Sequence, residues 1–160
     1  MTADPETRLA RLEAVEEIRV LKARYAAVCD EGYEPDGMRA IFTHDAVWDG
    51  GRRFGRHEGI DEIRAFFAGV SSQIVWALHY MLNPIIEIGD DLATATGSWY
   101  LWQPCTVVGA HGPQAVWLTG TYADRYRREG GSWRMSELLL DCQTISPFEE
   151  GWARRPFWNE

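Results

Sequence analysis

Tyr122-Ala123-Asp124-Arg125-Tyr126-Arg127-Arg128, then Glu129-Gly130-Gly131-Ser132, then Trp133-Arg134-Met135 reads as strand, tight turn, strand. The two glycines between alternating aromatic and polar residues are a hairpin signal. Worked outward, the hairpin joins a strand over Gln114 to Arg128 to one over Trp133 to Ile145. Upstream, Leu92 to Gln103 alternates small or apolar residues with Thr94, Thr96 and Ser98, as a strand does. Val75 to Ile88 is a further strand, closed by a turn at Gly89-Asp90-Asp91, and Pro104 to Pro113 reads as a loop. Pro147 to Glu160 is an irregular aromatic tail.

The first half of the chain changes period. From Pro5 to Glu31, Leu9, Leu12, Ile18, Leu21, Tyr25 and Val28 recur at three- and four-residue steps, with charges on the other face. Asp4 and Pro5 suit a helix start, and Gly32 suits its stop. Pro35 to Phe42 reads as a short helix and His44 to Asp49 as a short strand. Gly50 to His57 is turn-rich, and Gly59 to Val70 is a helix with Ile60, Ile63, Phe66 and Phe67 inward. Helices first and antiparallel strands after make an α+β fold, a curved sheet with helices on one face. With no linker or repeat, residues 1–160 read as one domain. A bent sheet capped by helices forms a cone whose mouth is a natural ligand site.

Composition narrows the function. A net charge of −8 gives no basic footprint for nucleic acid, and the arginine pairs are short and interrupted. No apolar run reaches membrane-spanning length, and Met1 to Arg8 lacks the apolar core of an export signal. Three cysteines, Cys29, Cys105 and Cys142, form no CxxC and suggest reduced thiols in a cytoplasm. The four histidines show no metal-ligand spacing. Eight tryptophans, six tyrosines and six phenylalanines suit a pocket for a flat, hydrophobic small molecule. Trp48, Phe54, Trp76, Tyr80, Tyr100, Trp102 and Trp117 are the pool of candidate walls, and alternation puts about half of them on the wrong face. The tail, Phe148 to Trp158, either closes the pocket or packs on another subunit.

Three residues carry acid/base potential. Tyr25 and Asp30 lie near the end of the first helix, and His79 lies in the apolar stretch Val75-Trp76-Ala77-Leu78-His79-Tyr80-Met81. An imidazole oriented by a carboxylate is a competent base near neutral pH, and a phenol can serve a leaving hydroxyl or an oxyanion. Core packing would also account for His79 and Tyr25. Tyr25 and Asp30 are 140° apart on a straight helix, so one pocket must wrap the helix end to use both. Asp49 is an alternative base, and Asp124 reads as part of an exposed strand face.

The pieces Glu17 to Tyr25, Cys29-Asp30-Glu31-Gly32, Ile41 to Trp48, His79-Tyr80-Met81-Leu82-Asn83-Pro84 and Gly130 to Met135, in this order, resemble the SnoaL-like branch of the nuclear transport factor 2-like superfamily. The resemblance covers about Leu12 to Trp152 and implies a cone-shaped α+β barrel. Tyr25, Asp30 and His79 are similar to the pattern of its dehydratases, such as bile acid 7α-dehydratase and scytalone dehydratase. It implies a cofactor-independent lyase acting on an aromatic or polycyclic substrate, with His79 as base, Asp30 as its orienter and Tyr25 as donor. Hexachlorocyclohexane dehydrochlorinase is similar but has Lys where this chain has Tyr25, and an Arg on the last strand. Here that strand carries Arg134 near its start and then Leu138, Leu139 and Leu140. Two alternatives stay open: ketosteroid-isomerase-like proton transfer through Tyr25 and Asp49, and a binding cup or dioxygenase β-subunit-like partner without chemistry. The resemblance also implies a homo-oligomer, a trimer before a dimer.

Overall fold

The structure is a computed structural model that describes residues 4–159. Met1 to Ala3, part of the stretch read for an export signal, and Glu160 of the tail lie outside the described residues. Helix α1 spans Pro5–Asp30 and starts as its sequence directs, with Asp4 Oδ1 accepting from the Thr7 backbone N–H at 3.0 Å. Its buried stripe is Ala14, Ile18, Leu21, Lys22, Tyr25, Ala26 and Cys29. Leu9 and Leu12, expected inside, are 57% and 68% exposed, and Lys22, expected outside, is fully buried. The inner stripe therefore follows the 3.6-residue period but carries one charge in place of an apolar side chain.

Short helix α2 (Met38–Ile41) leads into strand β1 (Phe42–Asp49). The turn-rich segment after it folds into helix α3 (Gly51–Phe54) and strand β2 (Arg56–Glu58). Helix α4 (Ile60–Val70) buries Ile60, Ile63, Phe67 and Val70. Five strands complete the chain: β3 (Ile74–Ala77), β4 (Tyr80–Ile88), β5 (Thr94–Gly109), β6 (Gly112–Glu129) and β7 (Ser132–Pro147).

The sheet order is β2-β1-β7-β6-β5-β3, with β4 also paired to β5. Three features differ from the sequence reading. First, β1 pairs with β7 in parallel, Trp48 against Leu138, in an otherwise antiparallel sheet. Second, Pro104 to Pro113 is a hairpin rather than a loop: β5 and β6 pair from Thr94–Arg127 through Gly109–Gly112. Pro104 lacks an N–H, but its carbonyl still accepts from Leu78 N at 3.1 Å. Third, the expected strand over Val75 to Ile88 is two strands, because β3 pairs with Cys105–Val107 and β4 with Ala95–Trp102. Leu78 and His79 fall in the break. The strands are bent by register shifts at Thr119/Gly120 and Arg125/Tyr126. The sheet curves but does not close, so helices, not a last strand pair, complete the cone.

The core lies between the helices and the concave face of the sheet, where Trp99, Leu101, Leu118, Tyr122, Tyr126, Leu138 and Leu140 alternate inward. The tail returns to that core. Ile145 pairs with Phe157, and Trp158 N donates to the Ile145 carbonyl at 2.8 Å. No helix among the described residues is long and apolar enough to cross a membrane.

Candidate active site

The break between β3 and β4 frees His79 from the sheet. Its backbone N–H donates to Asp30 Oδ1 at 2.9 Å, and its ring Nδ1 lies 2.7 Å from the same oxygen. Asp30 is an acceptor, so in the neutral ring Nδ1 carries the proton and Nε2 keeps a lone pair. The imidazole is buried, at 5% side-chain exposure, and Asp30 is partly open at 26%. Asp30 ends α1, where a carboxylate opposes the helix dipole by about 0.3–1 kcal/mol, and no basic residue lies in that last turn. Two hydrogen bonds to one of its oxygens offset this cost.

His79 faces a small cavity of about 40 Å³ lined also by Tyr25, Tyr33, Trp48, Phe54, Phe66, Phe67, Val70, Ile74, Gln103, Leu118, Tyr122 and Leu140. A larger cavity of about 510 Å³ adjoins it, with Phe54, Phe66, Val70, Ile74 and Leu118 as shared walls and Arg53, Gln73, Trp158 and Asn159 at its far side. The site is a tight inner end behind a roomier vestibule of mixed apolar and polar lining. That division limits what reaches His79 to a few atoms and leaves any ring system in the vestibule.

The 140° difficulty resolves because Asp30 does not line the cavity. Tyr25 reaches it from the helix side, and Asp30 reaches it through His79. The Tyr25 hydroxyl accepts from Trp48 Nε1 at 3.1 Å. Burial pushes the Tyr25 phenol well above its ordinary range, with nearby Cys29 and Tyr122 in the same direction, so it is a neutral donor.

The expected walls divide by strand parity. Trp48 and Phe54 line the cavity. Trp76 and Tyr100 do not: they are 51% and 55% exposed, on the edge strand and the outer face. Tyr80 is exposed too. Trp102 and Trp117 also face outward, packed on each other at 5.1 Å between centroids and flanked by Trp152 and Phe148 of the tail. Gln103, one residue on from Trp102, is the inward one. Alternation from Trp99 and Leu101 selects Gln103, as it selects Leu118, Tyr122 and Leu140 on the neighbouring strands, but polarity hid Gln103 from a search for aromatic walls.

Asp49 does not face the cavity. Its carboxylate accepts from Gly51 N at 2.8 Å and Arg56 at 3.2 Å, and these hold its pKa below the usual carboxylate range. Asp124, expected on an exposed face, is fully buried on the inner one, 2.8 Å from Lys22 Nζ. The Tyr126 hydroxyl donates to the same Asp124 oxygen at 2.6 Å. Lys22 Nζ lies 3.7 Å from the centre of the Tyr122 ring, so this pair stands directly behind the cavity wall. Arg134 is outside, donating to the Arg39 carbonyl at 2.8 Å, and Leu140 holds the last-strand position on the wall. No group of acidic, histidine or cysteine side chains among the described residues is arranged to hold a metal ion.

Residues 10–138 match the SnoaL-like domain. The chain belongs to that family. Among solved structures, this SnoaL-like domain is similar to hexachlorocyclohexane dehydrochlorinase (LinA) type 2, with a TM-score of 0.79, 20% identity, and 88% of this chain and 93% of that one covered. It is similar to a Novosphingobium aromaticivorans protein provisionally named aromatic ring hydroxylase, at a TM-score of 0.68 and 28% identity over 91% and 96% of the two chains. A protein from the same organism, provisionally named scytalone dehydratase, aligns at a TM-score of 0.74 and 16% identity over 87% and 90%. A comparison with curated protein sequences finds no match.

Proposed function

We propose that the protein is a cofactor-independent lyase of the dehydratase type, in which His79 takes a proton from carbon and Asp30 holds its ring. The observation that carries this reading is the Nδ1–Asp30 contact of 2.7 Å, which leaves Nε2 as a free base on an apolar cavity. A purely structural histidine needs no cavity beside its ring. The neutral Tyr25 hydroxyl, polarised by Trp48, is the donor for the leaving hydroxyl. The size of the vestibule, with Phe54, Phe66 and Trp158 among its walls, suits a ring-bearing substrate. The names of similar proteins, a dehydrochlorinase and a dehydratase, belong to the same broad class of elimination chemistry. The cavity wall has no arginine, and the helix offers Tyr25 where a lysine would suit halide loss, so water is the favoured leaving group.

The likeness to a protein provisionally named aromatic ring hydroxylase supports a second reading, a partner or binding domain that handles aromatic compounds without chemistry of its own. One experiment separates the two. Hydroxylated ring ketones and hydroxysteroids are screened for loss of one water by mass spectrometry. Any turnover found should fall at least about 100-fold in His79→Ala, with the fold retained by circular dichroism at the assay temperature, because a positioned base contributes about 10²–10⁴-fold. Asp49→Asn should turn over at the wild-type rate. Equal rates for wild type and His79→Ala would sink the lyase reading.

A further inference from the structure

Lys22 and Asp124 are the buried charges that the proton-transfer reading leaves unused. Both side chains are fully buried, and Nζ meets Oδ2 at 2.8 Å. A buried ion pair seldom offsets its desolvation cost, and apolar residues of like volume would pack a wall as well. Other bonds do not complete this pair either, since Asp124 Oδ1 has no hydrogen-bond partner among the described residues. The pair does have a direction. Its ammonium lies 3.7 Å from the centre of the Tyr122 ring, 5.2 Å from that of Tyr25 and 5.9 Å from that of Trp99. Tyr122 and Tyr25 line the inner cavity with His79, and their rings meet edge-on at 6.4 Å. The carboxylate turns to Tyr126, whose hydroxyl donates to Oδ2 at 2.6 Å and accepts from Trp99 Nε1 at 3.1 Å. Neither Tyr126 nor Trp99 lines that cavity. The pair is thus a fixed dipole, its positive end against the cavity wall and its negative end held by residues behind it.

A cation against an aromatic face is attracted to the ring and favours negative charge on its hydroxyl oxygen. Burial pushes the Tyr25 and Tyr122 phenols well above their ordinary range, and Asp124 adds to the push. The ammonium, in contact with the carboxylate and the rings alike, opposes it. Burial also favours a neutral Lys22, and Asp124 counters that by holding the proton on Nζ. Inside a water-excluded wall a fixed charge acts over several ångströms with far more than its strength in water. Such preorganised charge does most for a group whose own charge changes during a reaction. On this wall that group is the Tyr25 phenol.

Resting on the proposed role of Tyr25 as proton donor, we infer that Lys22 is a positioning residue for that donor: its ammonium, anchored by Asp124, stabilises the negative charge that Tyr25 carries once its proton has left. The C–H electron pair released when His79 takes the proton becomes the C–C double bond. The C–O bond breaks with its pair on oxygen, which takes the Tyr25 proton and departs as water. Tyr25 is then a phenolate until the proton held by His79 returns to it. Lys22 touches no reacting atom and keeps its own proton throughout. It acts through the rings of Tyr122 and Tyr25.

Lys22→Met/Asp124→Leu deletes the dipole and keeps the wall filled. Lys22→Met/Asp124→Asn, which leaves an acceptor for Tyr126, takes its place if the first does not fold. Trifluorotyrosine in place of Tyr25 reports the phenol without turnover, through a fluorine NMR titration. Its midpoint should lie about 0.5–1 pH unit higher in the double variant than beside the intact pair, a roughly three- to tenfold loss of phenolate stability. With any substrate that is turned over, kcat should fall by the same three- to tenfold or so with KM unchanged, because Lys22 is not part of the cavity lining. In a Tyr25→Phe background the double variant should cost nothing further. A midpoint that is equal or lower in the double variant overturns the proposal. An equal fall in kcat with and without the Tyr25 hydroxyl overturns it too, as does a raised KM in place of a lowered kcat. Undiminished turnover in Tyr25→Phe, with the midpoint shifted as expected, overturns the donor role of Tyr25 alone.

Discussion

Replacing Lys22 by methionine is the sharpest probe of how the cavity wall is supported. Lys22 Nζ and Asp124 Oδ2 are 2.8 Å apart with both side chains fully buried. Methionine keeps the aliphatic stem and deletes the charge. Breaking a buried pair by removing one partner costs about 3–5 kcal/mol. Asp124 would retain the Tyr126 hydroxyl, a hydrogen bond to a charged acceptor worth about 1.5–3 kcal/mol, which moves the expectation to the lower end. The lost cation–π contact with Tyr122, about 2 kcal/mol when desolvated, moves it back up. A cost of about 4 kcal/mol at pH 7 is the result, measured by urea unfolding followed through tryptophan fluorescence. Its pH dependence has a definite sign. Burial pushes the Asp124 carboxyl up, and Lys22 opposes that push. Without Lys22 the carboxyl rises further, so the folded state keeps a proton that the unfolded chain, near pKa 3.9, has released. Stability of the variant then rises as pH falls from neutral, by up to about 1.4 kcal/mol per unit, and the deficit shrinks on acidification. Lys22→Met/Asp124→Leu removes both charges and should return to within about 1–2 kcal/mol of wild type. A single-variant cost below about 1 kcal/mol, with no dependence on pH, would refute the view that a charged pair supports this wall.

Gly120→Ala should destabilise by about 1–3 kcal/mol in the same assay, because a Cβ there would meet the Asp141 carbonyl oxygen at 2.6 Å inside the bulge that bends the sheet. A neutral effect would mean the bulge relaxes freely. The outer aromatic face (Trp76, Tyr100, Trp102, Trp117 and Trp152) is the surface we propose for contact between copies of the chain. Sedimentation should give a trimer that Trp102→Asp dissociates, and a wild-type monomer would exclude this.

The fold was legible because its signals are periodic. The cap at Asp4, the Gly32 stop, the Gly130-Gly131 hairpin and the helix-then-strand order needed only local chemistry. Other features depended on partners distant in sequence. No local pattern announces that Lys22, on a helix full of surface charges, points inward, because its partner Asp124 is contributed by β6. Hydrophobic periodicity assigns charges to the solvent side by default, so it misplaced both members of the pair together. Leu9 and Leu12 erred the other way: the buried stripe of Ala14, Ile18 and Leu21 runs back through Thr7, Ala10 and Arg11, so both leucines fall on the outer side of α1. The candidate walls failed through parity: Tyr100 and Trp102 share a face, Leu101 and Gln103 share the opposite one, and only the second is concave. Tyr33 had a signal, its place just after the helix-stopping Gly32, but nothing in the sequence says that a tyrosine there turns left-handed, with φ 62°.

The strand break explains why Asp30 and His79 are coupled so closely. β3 and β4 use different stretches of one edge of β5, and the chain between them must leave the ladder. Leaving it frees two backbone donors. Leu78 N finds the Pro104 carbonyl at 3.1 Å, and His79 N finds Asp30 Oδ1 at 2.9 Å. The same oxygen that satisfies the orphan N–H therefore fixes the ring through Nδ1. Function and fold share one atom, which makes Asp30 a poor place to test catalysis alone. Asp30→Ala would leave a part-buried backbone donor unpaired, at about 1–3 kcal/mol, and would free the imidazole at the same time. Any loss of activity there mixes the two effects. His79→Ala keeps the backbone bond to Asp30 and removes only the ring, so it separates the base from the scaffold that holds it.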